Sequence, residues 1–309
     1  MRAETILILG GEDDEHAVHM HEHLRRGGHD VELLDSRWFP GDLTLTIEPL
    51  GEGFVGLPHG RTLRFADVKS VYWRTYHGVG VADLPDEEQS WIAHNDSRGL
   101  FESFLIRLPA RWINGWNAYW LHQTKPVQLD RVALLVQRDS LGVTLPSTLL
   151  TNDPRAAADF AARHPVSIAK PVQGGDHAMR LRAKHLTAEN GAHLRLAPIT
   201  LQTEVLGTNI RVFVIGKRVL ACEVRTSELD YREDPEPELL VHALPPPVKN
   251  ACRQIASELE MRWTGIDFRL TPAGQYVFLE ANPSPMFLGF EHQTQLPLTE
   301  SLAALLVGE

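Results

Sequence analysis

Residues 264–285 read T-G-I-D-F-R-L-T-P-A-G-Q-Y-V-F-L-E-A-N-P-S-P, and two runs within them, 265–270 and 276–281, are rich in β-branched and aromatic residues. T-P-A-G-Q between the runs is turn chemistry, so the two are expected to pair as a hairpin. Side chains alternate across a strand, which puts Glu280 and Asn282 on one face. Folding back at the turn brings Asp267 close to Glu280. Two carboxylates and an amide oxygen are hard donors, and they suit Mg²⁺, which is usually held by one or two carboxylates plus substrate phosphates. A two-stranded ribbon whose acids simply face water satisfies the same pattern, because D…E-x-N is loose.

Working outward, 210–215 and 218–224 read as an earlier hairpin through Gly216-Lys217, and 248–260 as a helix between the two hairpins. The acidic, proline-rich stretch 229–247 reads as a loop, and 299–306 as a closing helix. Upstream, 126–140 is a helix, 145–150 a strand, and Asp153 caps a helix running to about 163. Residues 166–171 form a strand bearing Lys170, 172–175 a tight loop, and 199–206 a strand containing Glu204. At the N-terminus, strand 5–9, a helix to 26 and strand 31–34 make a β-α-β opening, like half of a doubly wound sheet. It carries no G-x-G-x-x-G dinucleotide fingerprint. Residues 43–70 suggest a β-ribbon, 70–74 a strand, 86–108 a helix and 112–114 a last short strand. In helix 15–26, His19 and His23 are four apart and could share a metal. With no third ligand in sight, a solvated face is the favoured reading.

The chain has 309 residues, 43% apolar and 23% charged, an ordinary globular composition. A net charge of −10 argues against a general nucleic-acid surface. Cys222 and Cys252 are the two cysteines and form no C-x-x-C spacing, so neither a disulfide framework nor a zinc site is expected. No apolar run approaches the ~20 residues of a membrane span, and acids Glu12–Glu15 follow the first strand where a signal peptide would be apolar. The expectation is a soluble cytoplasmic protein.

Lys170 precedes Gly174-Gly175, and glycines let backbone N–H groups approach phosphate oxygens while a lysine supplies a point charge, although a surface turn fits a Lys before Gly-Gly about as well. A P-loop motif is absent. Arg211, Arg225 and Arg232 follow, and three arginines near a Mg²⁺ site fit stabilisation of a transferring phosphoryl group. For any one of them alone, pairing with the many nearby acids is the favoured reading. Glu204-Val205-Leu206 could be an interdomain strand whose backbone reads a purine edge, although no local motif establishes it.

The order of these pieces says more than any one of them: K-P-x-Q-L from Lys125, L-P-S-T-L-L-T-N-D-P at 145–154, A-K-P-V-Q-G-G at 169–175, Q-T-E-V-L-G-T-N-I-R-V-F-V-I-G at 202–216, D-Y-R at 230–232, then G-I-D-F-R…F-L-E-A-N-P-S-P. This series resembles the ATP-grasp superfamily, in the branch of the ribosomal-protein glutamate ligases and the microviridin-type (graspetide) peptide macrocyclases. V-Y-W-R at 71–74, W-I-N at 112–114 and F-E-H-Q-T-Q-L-P-L at 290–298 bring it nearer the macrocyclases.

The resemblance implies an α/β (α+β) ATP-grasp fold with a Rossmann-like pre-grasp domain at 1–122, a central subdomain at 123–206 and a C-terminal subdomain at 207–309. It implies that Lys125 and Lys170 contact the ATP phosphates under a loop holding Gly174 and Gly175. Glu204 and the Val205 backbone would read adenine, with Asn209 where relatives carry an aspartate near the ribose. Asp267, Glu280 and Asn282 would hold two Mg²⁺ ions, Arg225 and Arg232 would steady the phosphoryl group, and Arg211 would orient the substrate carboxylate. The activity implied is ATP-dependent joining of a peptide side-chain carboxylate to a hydroxyl or amine of a ribosomally made precursor, as ester or amide. Basic residues Arg180, Arg182, Lys184 and Arg195 are candidates for an acidic leader segment. A homodimer is the usual state of similar enzymes, and neither nucleic acid nor membrane is an expected partner. A ligase adding free amino acids to a carboxylate, and a non-catalytic nucleotide- or peptide-binding protein, are the competing readings.

Overall fold

The computed structural model describes residues 4–173 and 177–308, which fall into two compact units. The first holds 4–116, 286–288 and 297–308, and the second holds 117–285 and 289–296. The closing residues therefore pack with the N-terminal part of the chain.

In the first unit, β1 (Thr5–Leu9) is buried along its whole length. α1 (Glu15–Arg26) starts at Asp14, whose carboxylate accepts from the His16 and Ala17 N–H groups at 3.0 and 3.2 Å. That contact satisfies two of the amides a helix start leaves free. β2 (Val31–Leu34) follows, then a three-stranded antiparallel ribbon of β3 (Thr44–Ile47), β4 (Gly53–Gly56) and β5 (Thr62–Arg64). β6 (Val68–Trp73), α2 (Glu87–Arg107) and β7 (Arg111–Ile113) complete a parallel sheet of order β2-β1-β6-β7. The reversal of direction at β1 is the doubly wound pattern expected from the opening β-α-β.

The histidines of α1 are not a solvated face. His16 is buried against the Phe287 ring, and burial lowers its pKa to about 4. His19 Nε2 lies 2.9 Å from Thr299 Oγ1, and His23 Nε2 lies 3.4 Å from Glu300. Among the described residues no group of three or more His, Cys, Asp or Glu is set to hold a metal, and no helix is long and apolar enough to cross a membrane.

The second unit opens at residue 117 with all but the first residue of α3 (Trp116–Gln123), followed by α4 (Lys125–Asp139). Its smaller sheet, order β11-β10-β12-β9, comprises β9 (Thr148–Thr151), β10 (Ser167–Pro171), β11 (Met179–Arg180) and β12 (Ile199–Thr203), with α5 (Pro154–Arg163) and α6 (Ala188–Leu196) between strands. The larger sheet has the order β15-β14-β13-β16-β17-β8. It contains β8 (Val143–Thr144), β13 (Thr208–Ile215), β14 (Arg218–Arg225), β15 (Glu238–Val241), β16 (Trp263–Leu270) and β17 (Tyr276–Asn282). One face of it packs on α4 and on α7 (Pro246–Glu258) through Ile210, Val212, Ile266, Phe268, Phe278 and Ala281. A short α8 (Leu288–Thr294) and the closing α9 (Leu298–Val307) follow. The stretch expected as a loop at 229–247 in fact contributes β15, which pairs with β14. The strand expected to reach 206 ends at Thr203.

β17 pairs with β8 only at Tyr276 and Val277, which leaves the backbone of Ala281 without a neighbouring strand on that side. The fully buried Gln128 of α4 takes the place of one. Its Nε2 donates to Ala281 O at 2.9 Å and its Oε1 accepts from Ala281 N at 2.9 Å. Buried backbone groups cost about 1–3 kcal/mol each when left unpaired. Gln128→Ala is therefore expected to destabilise the protein by roughly 3 kcal/mol, readable as a lower urea midpoint. An unchanged midpoint would show that the amide clamp contributes nothing.

Candidate active site

The two-residue turn between β13 and β14 and the longer turn between β16 and β17 set a register in which Cys222, Arg211, Asp267 and Glu280 stand in one row across four adjacent strands. Directly opposite residues in antiparallel strands share a face. The row therefore lies on the sheet face opposite the α4–α7 core, and Asn282 sits two residues beyond Glu280 on the same face. Between Asp267 and Phe268 the register slips and leaves Leu279 unpaired. Such bulges twist a strand locally and re-aim the side chains next to them. Here the neighbour is Glu280.

Cations meet both carboxylates. Lys125 Nζ, at the start of α4, lies 2.7 Å from Glu280 Oε2. Arg211 Nε lies 2.8 Å from Asp267 Oδ1, an ion pair without hydrogen-bond alignment. Arg211 Nη2 donates to Tyr231 Oη at 2.6 Å, and its guanidinium stands 5.6 Å from the centre of the Phe290 ring. Buried to 8% exposure, Arg211 nonetheless keeps Nη1 without a hydrogen-bond partner among the described residues. A buried guanidinium with unused donors suits a carboxylate or phosphate ligand. Gly265 makes room for it, because a Cβ there would come within 2.6 Å of Nη1.

Lys170 projects from β10 and donates to Gln202 Oε1 at 3.3 Å. Burial pulls its pKa down, while the charge of Glu280 acts against that shift. Asp267 is pushed up, first by burial and then by the neighbouring Glu280 charge, with Arg211 opposing. Burial works against the Glu280 carboxylate too, yet Lys125 beside it, backed by Lys170 and Arg211, holds it below the usual carboxylate range. The two acids thus behave as one coupled pair with their affinities for a proton driven apart. Arg232 belongs to the same electrostatic group, feeling Glu280 while its guanidinium is clasped by Asp230.

Mg²⁺ is the metal that this donor set accommodates. Asp267, Glu280 and Asn282 would supply oxygens from neighbouring strands on one face, and burial is the first cause that pushes Asp267 up, against the charge of Arg211 2.8 Å away. Two acids and an amide do not fill an octahedral shell, so phosphate oxygens would have to complete it.

Other expected residues lie differently. By strand alternation Arg225, which falls opposite Thr208, sits on the other face from Arg211 and is about half exposed. It is paired with Glu223 at 2.7 Å and Glu238 at 3.4 Å. Glu204, just past β12, is gripped by Arg180, whose Nε reaches both carboxylate oxygens at 3.1 Å. Arg180 is thus engaged by Glu204, while Arg182, Lys184 and Arg195 stay exposed. Val205 follows in the same connection, and Asn209 stands two residues before Arg211 on its face of β13. Gly174 and Gly175 lie outside the described residues.

Several neighbours carry no local signal. Tyr231, Phe290 and Gln202 contact the cations directly, and the half-buried His122 on α3 has its pKa lowered to about 4, first by desolvation and then by Lys125. Arg269 of β16 ties Gly207 O and Leu229 O together, each at 3.0 Å. The D-Y-R triplet at 230–232 takes in Tyr231, and the runs at 202–216, 265–269 and 290–298 take in Gln202, Arg269 and Phe290 without giving any of them a role.

No family model matches the sequence, and comparison with curated proteins finds no match. Solved structures do match. The chain is 31% identical to the ATP-grasp ligase PsnB complexed with a minimal precursor, over 98% of this chain and 97% of that one, with a TM-score of 0.82. PsnB complexed with minimal precursor, Mg and ADP gives 30% identity over 97% of each chain and a TM-score of 0.78. The macrocyclase MdnC of Microcystis aeruginosa MRC, bound with precursor peptide MdnA, is 19% identical over 99% of this chain and 100% of that one. Its TM-score of 0.84 is a likeness of fold.

Proposed function

The chain belongs to the ATP-grasp ligases, and from that premise we propose that it uses ATP to activate a side-chain carboxylate of a ribosomally made precursor peptide and joins it to a hydroxyl or amine of the same peptide. The observation that carries this reading is the row Arg211–Asp267–Glu280 with Lys125 and Lys170 over it. It sets cations against a pair of acids, as ATP activation of an anion requires. The precursor-bound relative at 31% identity supports the substrate class.

A carboxylate is a poor acyl donor because it would have to expel oxide. Its oxygen attacks the γ-phosphorus of ATP, the bond to the β-phosphate oxygen breaks, and ADP leaves an acyl phosphate behind. An amine or hydroxyl then attacks the carbonyl carbon, phosphate departs with the C–O electron pair, and the nucleophile loses its proton. The first attack sets one anion on another, so fixed positive charge lowers its barrier. Lys125 and Lys170 hold the phosphates, Arg232 faces the transferring group, and Arg211, fixed by Tyr231 and Phe290, orients the substrate carboxylate with its spare Nη1. Mg²⁺, held by Asp267, Glu280 and Asn282, would neutralise phosphate charge as a Lewis acid. Glu204, held rigid by Arg180, and the Val205 backbone read adenine. Arg225 takes no part in this scheme.

Incubation with ATP, Mg²⁺ and a precursor peptide encoded nearby should release ADP and phosphate and lower the peptide mass by one water per bond. Formation of AMP and pyrophosphate would rule out the mechanism. A mass gain would assign addition of a free amino acid instead.

A further inference from the structure

Arg269 stands two residues beyond Asp267 on β16, so its side chain leaves the same face of the sheet. Asn209 lies directly opposite it on β13, as Arg211 lies opposite Asp267. Along the strands, Arg269 is therefore one step from the row of charges toward the connection 204–207, which enters β13 at Thr208. That connection sits hard against β16. Gly207 has a φ of 148°, and a Cβ there would collide with the Leu270 carbonyl.

The guanidinium holds two loops at once, and it holds both by their backbone. Nη1 donates to Gly207 O and Nη2 to Leu229 O, each at 3.0 Å. Gly207 closes the connection that carries Glu204 and Val205. Leu229 directly precedes Asp230, which caps the turn at Tyr231–Glu233 through the Arg232 N–H and clasps the Arg232 guanidinium. Arg269 is half-buried; burial works against its charge, and Glu204 and Asp230, one acid from each loop, support it. The fork is planar, with its donors at a fixed spacing. A carbonyl that shifts at one end therefore shifts the guanidinium, and with it the carbonyl at the other end.

On the premise of the ATP-dependent activation set out above, we propose that Arg269 is a positioning residue that couples the two ends of the nucleotide site, so that the fit of the base at 204–207 sets where Arg232 stands. A base that seats correctly holds the Gly207 carbonyl on Nη1. The same fork then keeps Leu229, and the turn after it, in line with the transferring phosphoryl group. A base that seats poorly displaces the turn, and a displacement of about 1 Å costs on the order of a hundredfold in rate. Recognition of the base then appears in kcat as well as in KM, because binding energy is used to assemble the reacting end of the site. Without Arg269 the two ends act separately, and a wrong base weakens binding alone.

Turnover by the full chain, with Mg²⁺ and a precursor peptide encoded nearby, is compared for ATP and for inosine triphosphate, whose base carries a carbonyl where adenine has an amine. In the wild type the wrong base should raise KM and also lower kcat by roughly tenfold. In Arg269→Ala, kcat with ATP should fall by about tenfold to a hundredfold, and the two nucleotides should then share one kcat within about twofold while KM still favours ATP. Arg269→Lys keeps the charge without the fork and should lose the kcat preference in the same way, so it carries the test where the alanine variant does not fold. Calorimetric titration with Mg²⁺ and ADP separates this coupling from the activation it presupposes. A wild type that binds no ADP, or binds it without turning over ATP, removes that activation and the coupling with it. A wild type that binds ADP and turns over ATP, yet shows one kcat for both bases, overturns the coupling alone. So does a folded Arg269 variant that keeps the wild-type ratio of kcat values.

Discussion

Glu280→Gln is expected to lower ATP turnover by roughly 10³-fold while the protein stays folded, the scale seen when a fixed charge is removed from a phosphoryl-transfer site. The substitution keeps the size of the side chain and removes the charge that does two jobs. Glu280 is the acid that holds Lys125 at 2.7 Å, and with Asp267, opposite it on the neighbouring strand, it would supply both negative charges of the proposed Mg²⁺ site. Without it, Mg²⁺ loses a carboxylate and Lys125 loses the partner that aims its ammonium toward the phosphates. The effect should fall on kcat and on the Mg²⁺ concentration giving half-maximal rate, with precursor binding unchanged. Chelation of Mg²⁺ in the wild-type protein should reproduce the loss and added Mg²⁺ should reverse it. Turnover within threefold of wild type at limiting Mg²⁺ would remove Glu280 from the site.

How far such a site can be read from a sequence depends on which interactions are local. The hairpin holding Asp267 and Glu280 was legible because T-P-A-G-Q specifies a turn and alternation then fixes the faces. The same logic, carried one strand further, would have placed Arg225. A hairpin closed by Gly216-Lys217 pairs Ile215 with Arg218 and so Arg211 with Cys222, which leaves Arg225 on the other face. The expected turn already contained that answer. Strand β15 was hidden because its apolar pair, Leu239-Leu240, sits in an acidic, proline-rich stretch whose composition signals a loop, and only pairing with β14 turns it into a strand. The partners of Arg211 were out of reach for another reason. Tyr231 and Phe290 are 20 and 79 residues away in the chain and join it only through tertiary packing. The same holds for the Arg180 grip on Glu204, a contact between residues 24 apart that reaches across β10 from β11 to the end of β12.

Arg211→Lys is expected to cost roughly 10²–10³-fold in kcat with little change in the KM for ATP, the loss typical of a donor that acts on the transition state. Lysine keeps the positive charge beside Asp267, so a purely Coulombic role would survive the change. It lacks the planar fork, and one ammonium cannot meet Asp267, the Tyr231 hydroxyl and a substrate carboxylate in the directions that Nε, Nη2 and Nη1 take. Gly265→Ala reaches the same group without touching its chemistry. A Cβ at that position would lie 2.6 Å from Arg211 Nη1 and 2.7 Å from the Pro285 Cβ. The guanidinium is the more movable neighbour, so it should swing out of line and take the carboxylate-orienting donor with it. Gly265→Ala alone is expected to slow turnover by about tenfold to a hundredfold, since a misplacement of about 1 Å has that scale of effect. Combined with Arg211→Lys it should add almost nothing, because residues acting through one group are not additive. Additive losses in the double variant would mean that Gly265 works through the backbone of β16, and that the space it leaves is not there for Arg211.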